Sequence, residues 1–145
     1  TVVSPALEKS KSSKTPAVAL ELPDGKIITG RDRDVMTASA AVIINALKHL
    51  AGIDDQIKLI SPIVLGPIIK LKAINLKAST PALTLEEALI ALSITAVTNP
   101  TVEYLLTKIP KLEKSEAHST VMLDESEVQV YRKLGINITC TPEYR

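Results

Sequence analysis

Apolar and polar residues alternate near the start of the chain and then change to a helical spacing. Residues 18–22 alternate, the turn residues at 23–25 follow, and residues 26–29 are rich in β-branched side chains. This pattern predicts a strand, a tight turn and a second strand. From residue 34 the apolar positions recur every three to four residues, which predicts a helix that Gly52 ends in the left-handed conformation.

The rest of the chain predicts further alternation of strands and helices. We predict a short third strand at 57–60 and then a helix that begins at Ser61 and is interrupted at Gly66 and Pro67. A helix over 88–97 follows a capping box at 84–87, and another helix runs to about residue 108. The last elements are a fourth strand at 117–123, a helix capped by Asp124 and Glu127, and a fifth strand at 136–141. Because the helix over 88–97 is apolar on nearly every face, we expect it to be central to the core.

The element order ββαβαααβαβ predicts an α/β fold. We expect a three-layer αβα arrangement around a mostly parallel sheet of about five strands. A similar topology occurs in the cytidine-deaminase-like fold, whose zinc enzymes carry H-x-E and P-C-x-x-C motifs at two helix starts. Here those places read GRDRD at 30–34 and SPIV at 61–64, so none of the ligands of those motifs is present and deamination is not expected.

Composition and length indicate a single aliphatic domain. The 145 residues include no Phe or Trp and three Tyr, so the core must be built from Ile, Leu, Val and Ala. Residues 1–15 are rich in Ser and Lys, and we interpret them as a linker or tether. Residues 16–145 are then one α/β domain. The first residue is Thr1, which suggests a piece of a longer protein.

Charge and cysteine content narrow the classes of partner. Seventeen basic and sixteen acidic residues give a net charge of +1, which favours neither a nucleic-acid partner nor an anionic membrane. No apolar run is long enough to span a bilayer. Cys140 is the only cysteine, which excludes an internal disulfide and is typical of the cytoplasm. On its strand face we interpret it as a buried, inert thiol.

The segment SEAHSTVML at 115–123 carries the strongest candidates for chemistry. Because side chains alternate along a strand, Glu116, His118 and Thr120 share one face, and Ser119 lies on the other. The geometry is therefore poor for a Ser119–His118 nucleophile pair. Glu116 and His118 remain as a candidate acid–base pair, although a structural role is the alternative because they lie where the strand begins.

The charged step after the second strand is a candidate ligand-binding corner. Arg31 and Asp32 lie between a strand and a helix, and Ser61 lies at the start of the next helix. A solvated loop is the alternative interpretation. The five glycines are scattered, so neither a Walker loop nor a G-x-G-x-x-G turn is present, and we expect no cofactor in this fragment. No catalytic motif is identifiable.

Five runs carry a family resemblance. ELPDGKIITG, NALKHLAGI, ALIALSITAVTNP, SEAHSTVML and RKLGINITCTPEY resemble the C-terminal part of an uncharacterised bacterial family, the domain of unknown function 1846, also called uncharacterised protein family 0371. The resemblance implies a considerably longer protein, whose N-terminal portion contains a glycine-rich stretch similar to a phosphate loop. Where the family pattern has cysteines, this chain has Thr95 and Ser115, which argues against a thiol or metal role.

Two hypotheses follow from these observations. In the first, the chain is a non-catalytic domain that packs against the N-terminal remainder of its own protein or against a second copy in a homo-oligomer. In the second, the domain completes an active site of the hydrolase or transferase type, with Glu116 and His118 as acid–base groups and Arg31, Asp32 or Ser61 as polar contacts.

Overall fold

A four-stranded mixed sheet with helices on both faces organises the chain. A computed structural model describes residues 1–144, and Arg145 lies outside the described residues. Within these residues the strands are β1 (Ala17–Glu21), β2 (Ile27–Arg31), β3 (Glu116–Ser119) and β4 (Asn137–Cys140). The α-helices are α1 (Val3–Ser13), α2 (Ala38–Ala51), α3 (Pro62–Lys70), α4 (Leu85–Ala96), α5 (Pro100–Leu106) and α6 (Glu125–Lys133). A π-helical segment, Leu71–Asn75, continues α3, and a 3-10 helix, Ile109–Leu112, follows α5.

The strand order is β2-β1-β3-β4. Strand β1 is antiparallel to both β2 and β3, whereas β3 and β4 are parallel. Strands β2, β3 and β4 therefore run in the same direction, and their carboxyl ends lie at the same end of the sheet. The predicted β1–β2 hairpin is confirmed, with the Gly25 N–H donating to the Leu22 carbonyl at 2.8 Å.

The sheet differs from the prediction in strand number and direction. It is mixed rather than mostly parallel, since two of its three pairings are antiparallel. Residues 57–60 pair with no described strand, although Leu59 and Ile60 are buried in the core. Burial alone accounts for their apolar character, because a buried loop needs no strand partner to place two side chains inward. The five-strand, cytidine-deaminase-like topology, which depended on that strand, is not confirmed.

The two faces of the sheet are covered differently. The face that carries Val18 and Leu20 packs on the main aliphatic core, and we call it the core face. Helix α2 approaches this face so closely that a Cβ at Gly30 would come within 2.4 Å of the Val42 nitrogen. Helix α6 also lies on this side, and α4 and α5 pack outside α2. Gly52 has φ +71° and ends α2, as predicted.

The opposite face, which we call the α1 face, carries a smaller apolar cluster. Val2 and Ala6, at the start of α1, pack against Ala19 and Ile27 of the sheet. Residues 1–15, predicted as a linker or tether, are therefore mostly a helix packed on the sheet. Composition alone was misleading because one buried side of a short helix needs few apolar residues.

None of the helices within residues 1–144 is long and apolar enough to cross a membrane.

Candidate functional site

Glu116 and His118 lie on the α1 face of the sheet, in neighbouring cross-strand pairs with β4. Glu116 is opposite Asn137, whose Nδ2 donates to Glu116 Oε2 at 2.7 Å, and both side chains are exposed. His118 is opposite Thr139 and is only 6% exposed. The pair predicted from alternation thus shares a face, but its two members lie in different environments.

Both ring nitrogens of His118 have hydroxyl partners. Nδ1 lies 2.7 Å from Thr139 Oγ1, and Nε2 lies 2.8 Å from Thr141 Oγ1. In a neutral imidazole one nitrogen donates and the other accepts, and a hydroxyl can satisfy either role. Burial lowers the pKa of His118 below its ordinary value. This environment holds a neutral, hydrogen-bonded ring, in which neither nitrogen is open to a reacting group.

Arg31 and Asp32 lie at or just after the carboxyl end of β2, at the end of the sheet where β3 and β4 also finish. Asp32 Oδ1 accepts a hydrogen bond from the Ala38 N–H at 2.8 Å, at the start of α2. Arg31 Nη1 donates to the Asp32 carbonyl at 3.4 Å. The position agrees with the usual location of ligand sites in open α/β sheets, but the Asp32 carboxylate also fastens the loop to α2.

Ser61 serves as the N-cap of α3. Its Oγ accepts a hydrogen bond from the Ile63 N–H at 3.2 Å. Because residues 57–60 do not form a strand, Ser61 does not follow the carboxyl end of a strand, and its hydroxyl caps α3 instead.

The described part of the molecule includes two open grooves. One, of about 520 Å³, runs along β2 and the last turn of α2 and includes Asn45 and His49. The other, of about 490 Å³, lies between the end of α1 and the carboxyl ends of β3 and β4. Neither groove is lined by Glu116, His118, Arg31, Asp32 or Ser61. Over the same residues, no group of three or more His, Cys, Asp or Glu side chains could hold a metal ion.

A buried polar cluster between α2 and α6 was not anticipated. Ser39 Oγ donates to Glu127 Oε2, Thr37 Oγ1 donates to Glu127 Oε1 at 3.4 Å, and the Tyr131 hydroxyl donates to the Ser39 carbonyl at 2.7 Å. Burial, and then the charge of Glu127, raise the pKa of Tyr131 well above its ordinary value. Glu127 was predicted to cap α6 with Asp124, but it turns inward. The available signal was the i, i+4 spacing of Glu127 and Tyr131, which puts both on one side of α6.

The largest set of exposed apolar side chains was also missed. It lies on α3, on the π-helical segment and α4, and on the residue that follows each of the last two, and we call it the α3–α4 surface. Its members are Ile63, Leu71, Ile74, Leu76, Ile90, Ile94 and Val97. Ile63 is 84% exposed and Val97 is 82% exposed. Only one side of α4 is buried, so the prediction that this helix is central to the core is wrong.

Lys72, in the π-helical segment next to this surface, is buried although it carries a charge. Its ammonium group is directed inward, where Nζ donates to the Ala82 carbonyl at 2.6 Å and to Glu87 Oε1 at 2.5 Å. Glu87 also forms the predicted capping box with Thr84. Burial by itself would raise the pKa of Glu87, but the hydrogen bonds from Lys72 and Thr84 outweigh it and lower that pKa. A lysine is thus buried where neighbouring leucine and isoleucine side chains are exposed.

Comparison with known proteins identifies the family. The family model described as "Domain of unknown function DUF1846, C-terminal" matches residues 1–145. A UPF0371 protein of Clostridium tetani (strain Massachusetts / E88) is 54% identical over 151 residues, which cover 99% of this chain and 30% of that protein. A UPF0371 protein of Clostridium botulinum (strain Langeland / NCTC 10281 / Type F) is 54% identical over 135 residues, which cover 93% of this chain and 27% of that protein.

A UPF0371 protein of Clostridioides difficile (strain 630) is 50% identical over 134 residues, with 92% of this chain and 27% of that protein covered. The chain therefore spans less than a third of the length of these relatives, and the resemblance carried by its five sequence runs is confirmed. The chain belongs to the DUF1846 family and corresponds to its C-terminal domain.

Proposed function

We propose that this domain is a packing domain of a longer protein, and that its α3–α4 surface is covered by the remainder of the same polypeptide. The single observation that carries the proposal is the exposure of seven large aliphatic side chains on adjoining helices. Scattered apolar residues are normal on a protein surface, whereas a set grouped on one region marks an interaction site.

Helix α3 supports the proposal most directly. Its sequence, PIVLGPIIK, is apolar on every side, yet none of its nine described residues is buried. Helices that are apolar all round normally lie inside a protein or a membrane. Because α3 is too short to span a bilayer, a protein covering is the better explanation.

The geometry of α4 places its two exposed isoleucines beside the π-helical segment. Glu87, Ile90 and Ile94 follow an i, i+3, i+7 spacing, so they lie along one side of the helix. Glu87 contacts Lys72 of the π-helical segment. The exposed isoleucines therefore lie on the side of α4 that adjoins Leu71–Asn75.

The remainder of the protein is the occupant that we favour. The relatives have more than two thirds of their length outside the matched region, and a segment of the same polypeptide is always at a high effective concentration. The catalytic alternative with Glu116 and His118 has weaker support, because both nitrogens of His118 are engaged and neither residue lines either of the two grooves described above.

Side-chain footprinting of the full-length protein tests the proposal. We expect a photogenerated carbene to label Ile63, Ile94 and Val97 several-fold less than Met122, which is 41% exposed in the loop after β3 and serves as the internal reference. Equal labelling of the two sets in the full-length protein would overturn the proposal. Protection that disappears on dilution would assign the surface to a second copy instead, and would also overturn it.

A matched pair of variants tests the same surface energetically. Ile94→Asp places an unpaired carboxylate in the proposed contact, which should cost several kcal/mol, on the order of 2–4, in the unfolding of the full-length protein. Met122→Asp is the control and should change stability by less than about 0.5 kcal/mol. Equal effects of the two substitutions, measured by urea unfolding, would count against the covering of α4.

A further inference from the structure

The two outer strands of the sheet are protected to different degrees. The backbone groups of Lys26 and Asp32, which flank β2, bond towards β1. Because bonding direction alternates along a strand, the backbone N–H and C=O groups of the odd-numbered residues of β2 point away from β1. These residues are Ile27, Thr29 and Arg31. Asn45 Nδ2 from α2 donates to the Thr29 carbonyl at 3.0 Å, in the middle of this outer edge. A side chain on a backbone carbonyl, together with flanking charges, is a usual way of preventing further strand pairing.

On the outer edge of β4 no such side chain is present among the described residues; its guards are the four-residue length of the strand and Pro142, which follows it. The Asn137 N–H donates to the Ser115 carbonyl at 3.0 Å, and the Thr141 N–H donates to the Ser119 carbonyl at 2.9 Å. Odd-numbered residues of β4 therefore face β3. The N–H and C=O groups of Ile138 and Cys140 point outward, and within residues 1–144 no group bonds to them. The strand NITC also contains no charge and no proline.

An edge of this kind is a template for another strand. Outward backbone groups accept and donate to any extended segment, and natural sheets cover or guard such edges. The side chains of Ile138 and Cys140 are half-buried against the core face, whereas Asn137 and Thr139 are exposed on the α1 face. A segment that pairs with β4 would therefore alternate apolar residues on the core face with polar residues on the α1 face.

We propose that the outer edge of β4 binds an extended segment from the remainder of the same protein, which becomes a fifth strand of the sheet. This contact lies outside the α3–α4 surface, although it shares the partner assumed for that surface. The β4 edge is four residues long and offers two residues for pairing. So few hydrogen bonds favour an intramolecular partner over a second copy from solution, because a stable dimer normally needs roughly 1,000 Å² of contact.

Hydrogen exchange at alternate amides tests this proposal in the full-length protein. In an uncovered β4, the outward amides of Ile138 and Cys140 exchange rapidly, while the inward amides of Thr139 and Thr141 are protected by β3. If a strand is added, all four amides are protected. We expect Ile138 and Cys140 to exchange at least about a hundredfold more slowly than an unbonded amide. Rapid exchange at both residues would overturn the proposal.

Two substitutions at one position supply the control. Proline is tolerated on a strand edge where its missing N–H would face solvent, so Cys140→Pro should keep the β3–β4 pairing but weaken the added strand. We expect Ile138 exchange to accelerate at least about tenfold in C140P and to stay within about twofold of the parent in C140A. Retained protection of Thr139 shows that the domain has folded. Equal exchange in the two variants would count against strand addition.

The result of the hydrogen-exchange experiment is independent of the test of the proposed function. Footprinting of Ile63 and Ile94 reports the α3–α4 surface, whereas exchange at Ile138 and Cys140 reports the β4 edge, so either proposal can fail alone. Sedimentation of the same samples identifies the remaining occupant. If protection of Ile138 requires a dimer, the partner is a second copy and the proposal is overturned.

Discussion

His118 illustrates at the residue scale how a reactive side chain can serve as part of a packed sheet. The imidazole lies between the hydroxyl of Thr139, in β4, and that of Thr141, just after β4. Burial lowers its pKa and so favours the neutral ring. Residue type and alternation along the strand identified the correct face. They did not show that both nitrogens are engaged, because Thr139 and Thr141 lie more than twenty residues further along the chain.

The lowered pKa of His118 predicts a pH dependence of stability. Because the folded-state pKa is lower than that of the unfolded chain, the unfolded state binds more protons once the pH falls below about 6.5. The favourable contribution of the neutral ring is therefore fully present above that pH and declines as the pH falls towards the folded-state pKa. His118→Gln removes the titrating group without removing all hydrogen-bonding capacity.

Urea unfolding at pH 7.5 and pH 5 measures this effect. We expect the free energy of unfolding to fall more on acidification in the parent than in H118Q. His49→Gln, at an exposed position of α2, is the matched control and should follow the parent. If H118Q loses as much stability as the parent between the two pH values, the proton linkage is wrongly assigned.

At the scale of elements, the Glu127 carboxylate joins α6 to the start of α2. Glu127 and Ser39 are both buried, and their hydrogen bond links positions 88 residues apart in sequence. Ser39→Ala leaves the buried carboxylate without one of its donors, so we expect the free energy of unfolding to fall by about 1–3 kcal/mol.

Ser12→Ala is the control for this substitution. The Ser12 hydroxyl is exposed on α1 and donates to the Lys9 carbonyl at 3.1 Å. Its loss should change the free energy of unfolding by less than about 0.5 kcal/mol in the same urea titration. Equal costs for the two serines would mean that Glu127 finds another donor or water once Ser39 is lost.

Helices α3 and α4 show what periodicity does and does not predict at this scale. The capping box at Thr84 and Glu87 and the extent of α4 were predicted correctly. The same apolar pattern led to the wrong conclusion that every side of α4 is covered within this domain. A pattern records that a face is apolar, whereas the element that covers that face can belong to another part of the polypeptide.

At the scale of the whole molecule, α1 completes the second face of the sheet. Ala6 is fully buried on that face, whereas the neighbouring Leu7 is 47% exposed. Ala6→Asp would bury an unpaired carboxylate, and we expect a loss of about 2 kcal/mol or more in the free energy of unfolding.

Leu7→Asp is the matched control, one residue away on the same helix. It should alter stability by less than about 0.5 kcal/mol, as measured by thermal and urea unfolding. If A6D is no more destabilising than L7D, α1 does not contribute to the folded body and residues 1–15 act as a tether after all.

The sequence by itself determined the family, the α/β class, the β1–β2 hairpin, and most helix starts and ends. These features depend on residue type and on spacings of two to four residues, which a single chain displays directly. The tertiary structure alone decided that β1 pairs with β3, that residues 57–60 form no strand, that Glu127 turns towards Ser39, and that the α3–α4 surface and the β4 edge are left uncovered. Each of these depends on groups brought together from distant parts of the chain, and local periodicity carries no record of which distant group arrives.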